Sequence, residues 1–103
     1  MNKTDLNNIV ISIKEDPGTF LNFMKTKFPI FHNSNVFFRD IQYGVKSYLE
    51  KKDIKASYRI VDDLSEQIIK FLEEQNILLK IKEGINWKLN YPEFVTTTPG
   101  DPL

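Results

Sequence analysis

The chain has no cysteine, one histidine, four glycines and only two arginines among its 103 residues. Each shortage excludes something. Without a thiol there is neither a disulfide framework nor a Cys-His dyad, and a single imidazole cannot found a Cys- or His-rich zinc site. The few glycines form no phosphate-cradling loop, and there is no nucleophile elbow or recognisable pair of spaced carboxylates. The sequence therefore reads as non-enzymatic, with no catalytic, cofactor-binding or metal-binding residues to nominate and no cofactor implied. Long apolar runs are also missing. The longest uncharged stretch, Phe28 to Phe38, is interrupted by Pro29, His32 and three further polar residues. No segment suits a bilayer span and the start lacks the basic-then-apolar pattern of a signal peptide, so no membrane association and a cytoplasmic location are expected.

What is present is balanced in charge: Lys plus Arg total 14 and Asp plus Glu total 14, a formal net charge of zero in a chain long enough for one small domain. The bases are 12 Lys against Arg39 and Arg59, beside 12 Ile and nine Asn, a usage that AT-rich coding produces. Few guanidinium forks are thus on offer for bidentate recognition of phosphate or guanine edges.

Leu6, Ile9, Val10 and Ile13 recur at helical spacing after a cap at Thr4 and suggest a first helix over about 4–15. The β-branched run Ile9, Val10, Ile11 and Ile13 leaves a strand open as the alternative. Asp16-Pro17 starts a second helix carrying Phe20, Leu21, Met24 and Phe28, which Pro29 ends. A third is expected from a cap at Asn33, Ser34 or Asn35 to about Lys52, with Phe37, Phe38, Ile41, Val45, Tyr48 and Leu49 inward. Gly44 inside it marks either a close approach by a neighbour or neutral drift. Ser57 then opens one unbroken helix through Val61, Leu64, Ile68, Phe71, Leu72 and Gln75.

After Asn76, suited to a left-handed cap, the period changes to two. Ile77, Leu79 and Ile81 are expected on one face, and Trp87, Leu89 and Tyr91 on the same face after the Glu83-Gly84-Ile85-Asn86 turn. Such a hairpin must bury that face to be stable. Phe94 can dock on the core, and 95–103 reads as a frayed tail after a single domain over 1–94. The fold class is mainly α with α+β character: three to four helices followed by a C-terminal two-stranded hairpin.

The helix-connection-helix unit Val36 to Lys52 and Ser57 to Gln75, with the junction Phe71-Leu72-Glu73-Glu74-Gln75-Asn76-Ile77-Leu78, resembles the winged-helix superfamily over residues 36–91, with a core of about 17–91. Asn76 stands where that superfamily usually carries Gly, and Asn tolerates the same backbone conformation. The resemblance implies an interaction module, since winged helices include DNA-binding regulators and modules that bind only protein.

Charge separates those alternatives by element. Residues 57–76 hold two bases and five acids, whereas 36–56 hold five bases and three acids, and 77–91 three bases and one acid. The helix that would enter a DNA groove is therefore the acidic one, through Asp62, Asp63 and Glu66. Those acids lack the alternating oxygen ligands of a calcium loop and suit a solvated helix face. A nucleic-acid contact would fall instead to Lys51, Lys52, Lys55 and Arg59 around the helix connection and to Lys80, Lys82 and Lys88 on the hairpin. Exposed strand lysines also simply block edge pairing. Of the aromatics, Phe23, Tyr43 and Tyr58 fall off the apolar phases and are the candidates for a partner surface, unless a wide core absorbs them, and one of Phe37 and Phe38 must also lie near a helix edge. His32, alone between aromatics, reads as a cap or surface residue. The leading expectation is a winged-helix-like module that binds a protein partner or forms a homodimer, with nucleic-acid binding through the hairpin as the alternative.

Overall fold

The first segment is a helix in the computed structural model, which describes residues 3–81 and 86–94. Helix α1 (Lys3–Glu15) buries Ile9, Val10 and Ile13 and leaves Ile11 exposed. A strand would have put Ile9, Ile11 and Ile13 on one side. Helix α2 (Pro17–Lys27) begins at Asp16-Pro17 as expected: the Thr19 hydroxyl donates to the Asp16 carboxylate at 2.7 Å and the Thr19 amide to the Asp16 carbonyl at 3.2 Å. Phe28 is already extended, the conformation Pro29 imposes on the residue before it.

The third helix does not begin in the Asn33–Asn35 cluster. Residues Asn35–Phe37 form strand β1, and α3 runs Phe38–Lys51. The strand wins because a partner backbone is at hand, pairing Asn35 with Lys88, Val36 with Trp87 and Phe37 with Asn86. The helix start moves to Phe38, where the Phe37 amide donates to the Asp40 carboxylate at 2.9 Å. Strand alternation then buries Val36 and turns Phe37 out to solvent, so Phe37 does not join the apolar side of α3.

Ser57 caps α4 (Tyr58–Glu74), accepting from the Ile60 amide at 3.3 Å, and the helix is unbroken. Asn76 has φ 60°, the left-handed conformation expected of it. Strands β2 (Leu78–Lys80) and β3 (Asn86–Leu89) follow, and with β1 they make a three-stranded antiparallel sheet in the order β1-β3-β2. The sheet thus has one strand more than a two-stranded hairpin. The turn at Glu83-Gly84-Ile85, Lys82 and the tail from 95 lie outside the described residues.

The register corrects the expected faces of β2. Leu78 lies opposite Leu89 and Lys80 opposite Trp87, so Leu78 is buried with them. Leu79 lies opposite Lys88 on the outward face and is 43% exposed. A one-residue slip exchanges every side chain between faces, and a run of five apolar or amphipathic residues carries no internal mark of which phase is inward.

Helix α1 packs on α2 and α4, and α3 packs on α2 and α4, so the four helices close around a core in which Phe20 and Leu72 are wholly buried. Each such side chain is worth about 1.5–3 kcal/mol relative to exposure. Gly44 meets α2 at its closest approach, where an added Cβ would stand 3.0 Å from Met24 Cγ. Gly44 therefore marks a close helix contact. Phe94, in the short 3-10 turn Pro92–Phe94, is buried as expected. Two bonds tether that segment: the His32 amide donates to the Phe94 carbonyl at 3.0 Å and the Tyr91 amide to His32 Nδ1 at 3.0 Å.

Candidate interaction surface

Helix α3 is amphipathic, with Ile41, Val45, Tyr48 and Leu49 in the core and Arg39, Tyr43, Lys46 and Glu50 on the opposite, exposed side. Helix α4 lies along one flank of that exposed stripe and begins with Tyr58. Arg39, Gln42, Tyr43, Lys46, Tyr58, Val61 and Asp62 line a groove of about 300 Å³ between the two helices. Tyr58 is 78% exposed and Tyr43 61%, the two most exposed large hydrophobic side chains among the described residues.

The groove is held by side chains that face one another. The Gln42 amide donates to the Asp62 carboxylate across the α3–α4 seam. The Lys46 ammonium lies 5.5 Å from the centre of the Tyr58 ring, within cation–π range. Tyr43 leans the other way, its ring meeting Phe28 edge to face at 5.7 Å. Both tyrosines therefore have limited freedom while keeping a face to solvent, which lowers the entropy cost of using them as anchors.

Phe23, the third aromatic candidate, is not brought into this groove. It is half-buried between α2 and α3, edge to face with Tyr48 at 5.3 Å, in a larger groove of about 720 Å³. The ammoniums of Lys27 and Lys51 lie 5.7 and 5.3 Å from its ring, and that of Lys52 lies 5.1 Å from Tyr48. Burial raises the Tyr48 phenol above its ordinary pKa; a hydrogen bond with Ser12 partly offsets this and the Asp16 charge adds to it. Phe23 thus serves packing and lysine anchoring more than display.

The basic candidates scatter. Lys51, Lys52, Lys55 and Arg59 are exposed around the α3–α4 connection. Lys88 is exposed on the outward face of the sheet, next to Leu79 on one neighbouring strand and Asn35 on the other. Lys80, expected on the same face as Lys88, lies on the other, opposite Trp87 and 3.8 Å from the Glu73 carboxylate. That is the one ion pair among the described residues. Glu73 also accepts from the Trp87 indole at 2.9 Å. Lys82 lies outside the described residues.

Sequence reasoning singled out Tyr43 and Tyr58 but passed over Arg39, Lys46 and Glu50, although Tyr43, Lys46 and Glu50, at four, seven and eleven residues from Arg39, are legible as one helical stripe with it. Of Phe37 and Phe38, one of which was expected near a helix edge, Phe37 is the exposed one, because β1 turns it outward. Among the described residues no three His, Asp or Glu side chains cluster as a metal site would need, and no helix is long and apolar enough to cross a membrane. No protein-family model, curated protein or solved structure matches the chain.

Proposed function

We propose that this chain is a non-enzymatic, winged-helix-like interaction module of the cytoplasm that binds polypeptide, including a second copy of itself, through the α3–α4 groove. The observation that carries the reading is the convergence of Tyr43 and Tyr58, from two helices, on one groove with cationic neighbours. Tyr and Arg are the residues enriched at the energetic centres of protein interfaces. The winged-helix resemblance is supported by the order α2, α3, α4 and then a hairpin whose apolar face, Leu78, Trp87 and Leu89, closes the core.

A hairpin-led contact with nucleic acid has less support. Lys80 and Lys88 point to opposite faces, Lys80 sits beside a carboxylate, and exposed α4 still presents Asp63, Glu66 and Glu74. A duplex approaching that helix would meet repulsion at each of them.

Placing the photoreactive residue benzoylphenylalanine at position 58 and irradiating an extract of the source cells tests the reading. The expected result is a covalent polypeptide adduct that disappears when Tyr43→Ala is added. If no polypeptide adduct forms, and the protein instead retards duplex DNA at low salt with affinity falling steeply as salt is added, the module is a nucleic-acid binder and this reading is wrong.

A further inference from the structure

The exposed stripe of α3 is complementary to its own reverse. Arg39 opens it, Tyr43 and Lys46 occupy its middle, and Glu50 closes it. At 100° per residue these four side chains fall within one narrow arc, and the stripe is about 16 Å long. All four are exposed, and neither Arg39 nor Glu50 takes part in an ion pair among the described residues.

An antiparallel copy of the same helix, related by a twofold axis through the middle of the stripe, brings Arg39 opposite Glu50, Tyr43 opposite Lys46, Lys46 opposite Tyr43 and Glu50 opposite Arg39. Every facing pair is then favourable: two opposite-charge pairs at the ends and two cation–π pairs at the centre. An isologous interface requires this self-complementarity, and a helix surface with unmatched charges would not have it. The flanks fit as well. Tyr58 stands beside Lys46 on the α4 side and Phe28 beside Tyr43 on the α2 side, supplying apolar surface around the charged stripe. A formal net charge of zero leaves no long-range repulsion to oppose the approach.

We propose that a second copy of this chain is the occupant of this face, joined α3 to α3 in antiparallel by reciprocal Arg39–Glu50 and Tyr43–Lys46 contacts. The inference rests on the polypeptide-binding reading above and narrows it to one partner. The interface is small, one helix pair with its flanking rings, which places it among transient rather than obligate associations.

Sedimentation of the full chain at low salt, with charge-reversed variants, tests the arrangement. The wild type is expected to form dimers that weaken with added salt. Arg39→Glu and Glu50→Arg each put like charges face to face at both ends and should raise the dissociation constant by at least about tenfold. Mixed one to one, the two variants should recover a dimer, because the acidic ends of one meet the basic ends of the other. The double variant Arg39→Glu/Glu50→Arg should also recover it. Circular dichroism of these surface variants checks that each is folded. A dimer indifferent to the charge reversals but lost on Tyr58→Ala overturns this geometry and leaves the polypeptide-binding reading standing. A wild type that stays monomeric overturns the self-association; an adduct to a different protein at position 58 then preserves the broader reading, and absence of any adduct removes both.

Discussion

The indole N–H of Trp87 is buried against α4, and Glu73 answers it at 2.9 Å while Lys80 approaches the same carboxylate at 3.8 Å. The two contacts differ in worth. A buried donor left without a partner costs about 1–3 kcal/mol, whereas an exposed ion pair contributes about 0–1 kcal/mol. Glu73→Ala is therefore expected to lower stability to urea by about 1–2 kcal/mol. Lys80→Ala should lower it by less than about 1 kcal/mol. Equal losses in the two variants would show that the ion pair, not the indole bond, matters. His32 poses a similar test. Its Nδ1 accepts from the Tyr91 amide, so the proton of the neutral ring sits on Nε2, and the imidazole ties the segment carrying Tyr91 and Phe94 to the loop before β1. His32→Ala orphans that amide, and a loss of about 1–3 kcal/mol is expected, with faster hydrogen exchange at Tyr91 as the local signature. The sequence held no sign of either partnership, because both join residues far apart in the chain.

At the level of elements, the helices and the two paired strands β2 and β3 were legible, whereas β1 and the phase of β2 were not, for a physical reason. The starts at Asp16-Pro17 and Ser57 and the left-handed Asn76 rest on local backbone chemistry that neighbouring residues fully determine. β1 depends on β3, about fifty residues away, and three residues of strand have too short a period to compete with the helix that follows. The phase of β2 failed similarly: Ile77, Leu78 and Leu79 are all apolar, and only the pairing of Leu78 with Leu89 decides which is inward. At Gly44 the sequence left a close contact and neutral drift both open, the structure decides for the contact with Met24, and that partner yields a prediction. A Cβ there would stand 3.0–3.2 Å from three atoms of Met24, a side chain with some room to shift. Gly44→Val, which adds branching as well, should destabilise by about 1–3 kcal/mol through overpacking. In Met24→Ala/Gly44→Val the second change fills space vacated by the first, so the double variant should lose less than the two single losses added together. Strict additivity in chemical denaturation would show that the two residues do not share that space.

For the molecule as a whole, the absence of net charge hides how its stability responds to alkali. Two phenols join the helices to one another and to the C-terminal segment. Tyr48 of α3 packs edge to face on Phe20 of α2 at 5.4 Å, and Tyr91 packs on Phe94 at 4.7 Å with its hydroxyl over Gly18 at the start of α2. Both are raised above the ordinary value for tyrosine, in each case chiefly by burial; at Tyr91 the hydrogen bond and charge of Glu93 and the charge of Asp16 add to it. A raised acid pKa in the folded state means that the unfolded chain releases these protons first. Their contribution is therefore fully present below about pH 10 and is lost as pH rises from there through the folded-state values. Lysine deprotonation begins over the same range, so the phenols must be separated from it by substitution. Tyr48→Phe keeps the ring against Phe20 and removes only the titrating group. Its urea midpoint near neutrality should stay close to wild type, and between about pH 10 and 11 it should fall less steeply. The ring lies between α2 and α3, edge to face with Phe20 and Phe23, so ionisation there strains the contact between those two helices. Parallel pH profiles for wild type and Tyr48→Phe would mean that the phenolate forms only after the bundle has already opened.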